Sequence, residues 1–337
     1  MNAASAIAVA LLAGLAMAVQ TPTNGSLGVL CAVERSTVVN FLGGWILLAL
    51  LVVTVGSGDL ALAAQAPWWQ FLGGAYGVYI VLAVSAATPV LGVALTLAVV
   101  MLGQLTAGMA IDTLGVLDAA RLPFSALRAA GCAAVAVGIV FVYVSRWKLG
   151  KASAAARKAA ARGASWQSGA GSDDPGADET GDAWRAVYLM VMVFVAGVVS
   201  AMQSPTNAAL SRHVGSLEAS FVNFSVGLVA AFAALAVRCV RRGERPVPPR
   251  DALRRTRPWQ YAGGVYGTVI VVAAVLATPV IGVGLLMACE MFGQLVGGMV
   301  IDGLGLLHTP RVRLDGWRLG GVLWIAVGIA LVTAARL

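Results

Sequence analysis

GGAYGVYIVLAVSAATPVLGVALTLAVVMLGQLTAGMAIDTLG (residues 73–115) and GGVYGTVIVVAAVLATPVIGVGLLMACEMFGQLVGGMVIDGLG (residues 263–305) decide the fold. Aligned at an offset of 190, they agree at roughly 25 of 43 positions. Shared apolar bias does not produce that agreement, so the chain carries an internal duplication. Earlier in each half the repeat continues at an offset of 183. Gln20-Thr-Pro-Thr-Asn24 recurs as Gln203-Ser-Pro-Thr-Asn207, Asn40-Phe41 as Asn223-Phe224, and Gly44 as Gly227.

Both stretches are also apolar enough to enter lipid. Across 337 residues, 59% are hydrophobic and 11% charged, with a mean hydropathy of +0.86. Water-soluble domains are typically about 45–50% apolar and about 25% charged, so a soluble enzyme is excluded. Spans of about 20 apolar residues are expected at 3–30, 37–56, 69–87, 90–111, 129–147, 185–210, 219–238, 259–277, 280–301 and 317–335. The first lacks a basic leader and reads as a retained span rather than a signal peptide. Pro22 and Pro205 are expected to kink the first and sixth spans. Thr88-Pro89 and Thr278-Pro279 are expected to cap tight helical hairpins, Thr as the N-cap and Pro in the first turn.

The expected fold is therefore an all-α membrane protein with ten transmembrane helices. Residues 1–149 form one five-helix repeat, 150–183 a flexible cytoplasmic linker rich in Gly, Ser and Asp, and 184–337 the second repeat. Five is odd, so the second repeat enters the bilayer inverted, as in many secondary transporters. Charge agrees. With both termini outside, 19 of the 23 Lys and Arg fall on cytoplasmic segments and 4 outside. The net charge of +8 is thus an orientation signal rather than a nucleic-acid footprint.

Polar residues within the spans are the candidates for function. Glu290 sits mid-span, and its repeat partner is Val100. It reads as a proton-coupling carboxyl or as a hydrogen-bonding group between helices. Gln294 lies four residues on, on the same helix face. Gln20 with Asn24, Gln203 with Asn207, Gln104 and Gln294 read equally as a path for a polar solute or as interhelical amide bonds. Asn40 and Asn223 read as packing residues, and the Gly73/Gly77, Gly263/Gly267 and Gly293/Gly297 pairs as close helix crossings. Asp112 and Asp302 close their helices. Arg121 and Arg311 nine residues on, and Arg128 and Arg318 sixteen on, offer partners for a loop clamp or a gate. Cys31, Cys132, Cys239 and Cys289 read as inert apolar residues. No metal-ligand spacing, P-loop or catalytic constellation is present in the sequence, so neither a metal, a cofactor nor ATP is expected.

Taken together, several motifs resemble one family. They are Gln-x-Pro-x-Asn in the first span, a Trp shortly before the Gly-Gly pair of the third, the Thr-Pro hairpin, and Gly103-Gln104 followed by Ile111-Asp112-x-x-Gly115. The set is similar to the bacterial YdcZ-type (EamA-like) family of the drug/metabolite transporter superfamily. The resemblance covers both halves and implies a fused, double-length exporter of the bacterial inner membrane. The function expected is secondary-active export of a small polar or amphipathic solute by alternating access. The partners are then the bilayer, the solute and protons, with one chain acting as a monomer. The alternatives are a membrane scaffold and an intramembrane enzyme.

Overall fold

A computed structural model of the chain describes residues 1–91, 93–141, 179–308 and 316–335. The helices are α1 (Ala3–Cys31), α2 (Val33–Val55), α3 (Gly73–Leu91), α4 (Val93–Leu114), α5 (Ala126–Phe141), α6 (Glu179–Val214), α7 (Ser216–Arg242), the short α8 (Arg250–Arg255), α9 (Gly263–Leu304) and α10 (Gly316–Ala334). Among the described residues, seven are long and apolar enough to cross a membrane, and α5 and α10 contain shorter apolar stretches. Continuous helix is what lipid demands, because each backbone polar group must find its partner within the segment. Pro22 and Pro205 both lie inside unbroken helices. Beside Pro22, the Thr21 and Thr23 hydroxyls donate to the Met17 and Val19 carbonyls at 2.9 and 2.8 Å.

The bends obey the repeat. Ala32 alone separates α1 from α2 with φ 78°, and its counterpart Gly215 separates α6 from α7 with φ 101°. Glycine adopts such angles without a Cβ clash, whereas alanine is strained there.

The two repeats interleave. Helix α1 packs chiefly on α9, α6 on α3 and α4, and α2 on α7. The chain thus has two ends. At one, Arg35 pairs with Glu244 at 2.9 Å and donates to the carbonyls of Cys31, Arg245 and Pro246, while Arg238 pairs with Glu34 and Glu244. At the other, the Gly58 N–H donates to buried Glu218 at 2.8 Å. Arg35 and Glu218 are repeat counterparts of opposite charge.

Glycines set the crossings. Gly103 meets Gly197 and Gly293 meets Gly14, while Gly131 meets Gly328 and Gly138 meets Gly321. Exchanging each residue for its repeat counterpart turns one contact of each pair into the other. Lipid offers no hydrophobic drive between helices, so close backbone approach at small residues supplies the association.

Helix α9 corrects the hairpin expectation. Thr278 and Pro279 lie inside helix, and Thr278 donates back to the Ala274 carbonyl at 2.6 Å rather than capping a new one. The break falls at Gly282, φ 69° and ψ 170°, because glycine is the residue that takes this conformation freely. Around it the helix folds back. Gln20 and Asn24 of α1 meet Gly267 and Gly263, and Gly14 and Ala18 of the same helix meet Gly293 and Gly297. The two segments of α9 therefore run in opposite directions along α1. The second is the deepest part of the core, with Leu285, Leu286, Met287, Cys289 and Met291 all buried.

Candidate solute pathway

Helices α2 and α7 cross at their waist, where the Phe41 and Phe224 rings lie 5.4 Å apart. Phe41 fills the space left by Gly227, and Phe224 that left by Gly44. An amide cluster flanks each ring. In the first, Gln20 Nε2 donates to Asn40 Oδ1 at 3.3 Å and to the Gly263 carbonyl at 3.0 Å, and Asn24 Oδ1 rests on Gly263. In the second, Gln203 Nε2 donates to the Gly73 carbonyl at 2.8 Å, with Asn207 and Asn223 against the same glycine. The structure thus brings Gln20 to Asn24, and Gln203 to Asn207, in two sites rather than one. Asn40 and Asn223, expected as packing residues, rest on Gly263 and Gly73 beside them.

The clusters differ in one respect. Among the described residues, Asn207 Oδ1, both amide atoms of Asn223 and the Thr206 hydroxyl have no hydrogen-bond partner, although all three residues are buried. Buried polar groups are normally bonded, and unpaired ones are expensive. The second cluster therefore retains bonding capacity that the first spends on Gln20 and Asn40.

Gln104 donates to the Ser200 hydroxyl at 2.8 Å, tying α4 to α6. Its counterpart Gln294 is only partly buried, and Met17 occupies the position matching Ser200. Glu290 is 5% exposed within the innermost segment, and its Oε1 has no partner among the described residues. Gly14 packs against the Glu290 backbone, so α1 passes directly across the carboxyl-bearing turn.

Asp112 is fully buried at the end of α4. Its Oδ1 accepts the Val283 N–H at 2.8 Å, and its Oδ2 accepts the Gly284 N–H at 2.9 Å. These are the first free donors after the Gly282 break, where a helix start favours negative charge. Arg128, 5% exposed, pairs with Oδ2 at 3.1 Å. The carboxylate of one repeat thus caps a helix of the other. Arg121, the nearer expected partner, donates instead to the Thr113 carbonyl at 3.3 Å. The turn at 115–122 carries Arg121 away and lets α5 return Arg128. Of the second expected clamp, Arg311 and the Asp302 side chain lie outside the described residues.

A cavity of about 170 Å³ adjoins this cap. Pro205 and Arg212 of α6, Asp118 of the α4–α5 turn, and Thr278, Pro279 and Gly282 of the α9 break contribute to its walls. Among the described residues, no group of three or more His, Cys, Asp or Glu side chains could hold a metal ion.

The sequence profile described as "Putative inner membrane exporter, YdcZ" matches residues 5–141 and again 188–331. The chain belongs to the YdcZ family. It carries the YdcZ domain twice, as a double-length member, and is a multi-pass helical membrane protein. No curated protein sequence matches it. A solved structure described only as "Crystal structure of protein" superposes with a TM-score of 0.67 at 16% identity, covering 99% of both chains. At that identity the likeness speaks for the fold. The YdcZ match covers both amide clusters, Glu290 and the Asp112 cap.

Proposed function

We propose that this YdcZ member is a secondary-active exporter in which ten crossings form two inverted five-helix repeats. Both termini lie outside, and the linker lies in the cytoplasm. A small polar or amphipathic solute moves by alternating access between amide-lined helices, with Glu290 carrying the coupled proton. The observation that carries this reading is the exchange symmetry of the contacts. Gly73 with Asn207 repeats as Gly263 with Asn24, and Gly103 with Gly197 repeats as Gly293 with Gly14. Two equivalent arrangements of one sequence pattern are what a protein needs to face each side of the membrane in turn.

The interleaving sets which bodies move. Helix α1 travels with α9, and α6 with α3 and α4, about the α2–α7 waist. Asp112 closes one face by capping α9, and Asp302 is its repeat counterpart in sequence. Gln20, Asn24, Gln203, Asn207, Gln104 and Gln294 line the moving surfaces. Glu290 suits proton transfer because a carboxyl buried in lipid is costly unless it is neutral, paired or wet.

Proteoliposomes loaded with a cytosolic metabolite extract test the function. An imposed pH gradient should drive loss of a component from vesicles containing the protein and not from empty ones. Equal retention in both refutes the exporter reading.

A further inference from the structure

We propose that the cavity beside the α9 break is a binding site for small zwitterions, with Arg212 receiving the carboxylate and Asp118 the ammonium group. The inference rests on the exporter reading and deepens it by naming a solute class. The volume of about 170 Å³ is comparable to cavities that admit a benzene-sized molecule, or roughly six to eight non-hydrogen atoms. Its walls come from the continuous helix α6 around Pro205, from the α9 break at Gly282 and from the turn that carries Asp118.

The charges define the ligand. Asp118 and Arg212 are the charged residues of the lining, and they sum to zero. A solute with one charge satisfies one of them and strands the other; a zwitterion satisfies both. They pair with each other at 3.1 Å with both side chains 54% exposed, so the pair is solvent-screened and readily exchanged. Arg212 also donates to the Asp118 carbonyl at 3.2 Å. That second bond pins a turn in which Leu117 and Asp118 both have φ 57°, a conformation that side chains other than glycine rarely take. A solute carboxylate on Arg212 loosens the pin, so entry and opening of the turn are coupled. The helical segment that starts at Gly263 ends against the cavity at Gly282, and the negative end of its dipole favours the ammonium group.

Melting of the purified full chain in detergent provides the test, with L-threonine, L-proline and taurine as zwitterions. Threonine amide supplies the cation alone, and N-acetylthreonine the anion alone. The zwitterions should raise the melting temperature by about 3 °C or more at saturation, and the singly charged analogues should not. Arg212→Gln and Asp118→Asn should each weaken the effect at least about tenfold, as expected when one charge-assisted contact is lost. Both side chains are half exposed, so the unliganded melting temperatures should stay near that of the parent. Equal stabilisation by the singly charged analogues, survival of the effect in both variants, or no stabilisation by any of the three zwitterions overturns the inference. The exporter reading falls separately, if loaded vesicles export nothing.

Discussion

Asp112→Asn replaces the buried carboxylate by a group of the same shape with one acceptor instead of two. One of the Val283 and Gly284 N–H groups, now bonded at 2.8 and 2.9 Å, then faces an amide NH2 and loses its partner. An orphaned buried donor costs about 1–3 kcal/mol. Arg128, 5% exposed and paired at 3.1 Å, keeps its charge and loses its counter-ion. Stranding one member of a buried pair costs about 3–5 kcal/mol. The two costs share the same atoms, so about 4 kcal/mol in total is the reasonable expectation. At about 2–4 °C per kcal/mol for chains of 150–250 residues, and less for longer ones, melting in detergent should fall by roughly 5–8 °C. The buried thiols of Cys31 and Cys289 report it directly through a thiol-reactive dye. Arg128→Gln should lose a comparable amount, and the double variant much less than the sum. Arg121→Ala removes one 3.3 Å bond at an exposed side chain and should cost under about 1 kcal/mol. If Asp112→Asn melts with the parent, or Arg121→Ala is the more damaging, the cap has been misread.

Glu290→Gln should preserve the fold, because it keeps the shape and removes only a charge or proton, while abolishing the dependence of export on the pH gradient; undiminished proton-driven export would exclude the coupling role. Ala32→Gly should stabilise the chain by about 1 kcal/mol or more, since φ 78° is strained for alanine and the counterpart Gly215 already uses glycine; a lower melting temperature would contradict this. The Arg238 hydrogen bond, supported by Arg35, holds the Glu244 carboxyl below its ordinary range. A group with a depressed folded value stabilises above its unfolded value and loses that contribution as pH falls through the folded one. The hydrogen-exchange protection factors of residues 243–249, corrected for the intrinsic pH dependence of exchange, should therefore be steady at neutral pH and fall below the usual carboxylate range, and Glu244→Gln should remove that acid step.

The duplication was legible because Gly73–Gly115 and Gly263–Gly305 share the same small and polar residues at the same spacing, which points to the same contacts twice. Which helices neighbour one another was not. Apolar periodicity in lipid marks where a segment crosses and carries no address for its partner, so the pairing of α1 with α9 shows only in the folded chain. The sequence puts the hairpin tip at Thr278-Pro279, three residues before the break. Thr278-Pro279 has the composition of a helix start, yet backbone conformation decided the break, and Gly282 had the needed freedom. Asp112 was recognised as a candidate, but its closest basic neighbour in sequence was the wrong one. The geometry of the turn selects Arg128, and sequence distance carries no information about that. An amide just inside a span looks alike whether it faces lipid or a glycine on another helix, so the sequence marks Asn40 and Asn223 as packing residues without naming the helices they pack against.

Interleaving has a consequence for assembly. Neither half can complete its own packing, since the first helix of each leans on the later helices of its twin. Each nascent half is therefore a lodger awaiting its host, and the peptide joining them serves mainly to keep stoichiometry at one to one. Severed anywhere between residues 150 and 178, the two pieces should stay clasped like folded hands. Made from separate messages, they should find each other in the bilayer and outcompete pairing with copies of themselves, because Arg35 of the first half finds its carboxylate in Glu244 of the second, and Glu218 of the second its donor in Gly58 of the first.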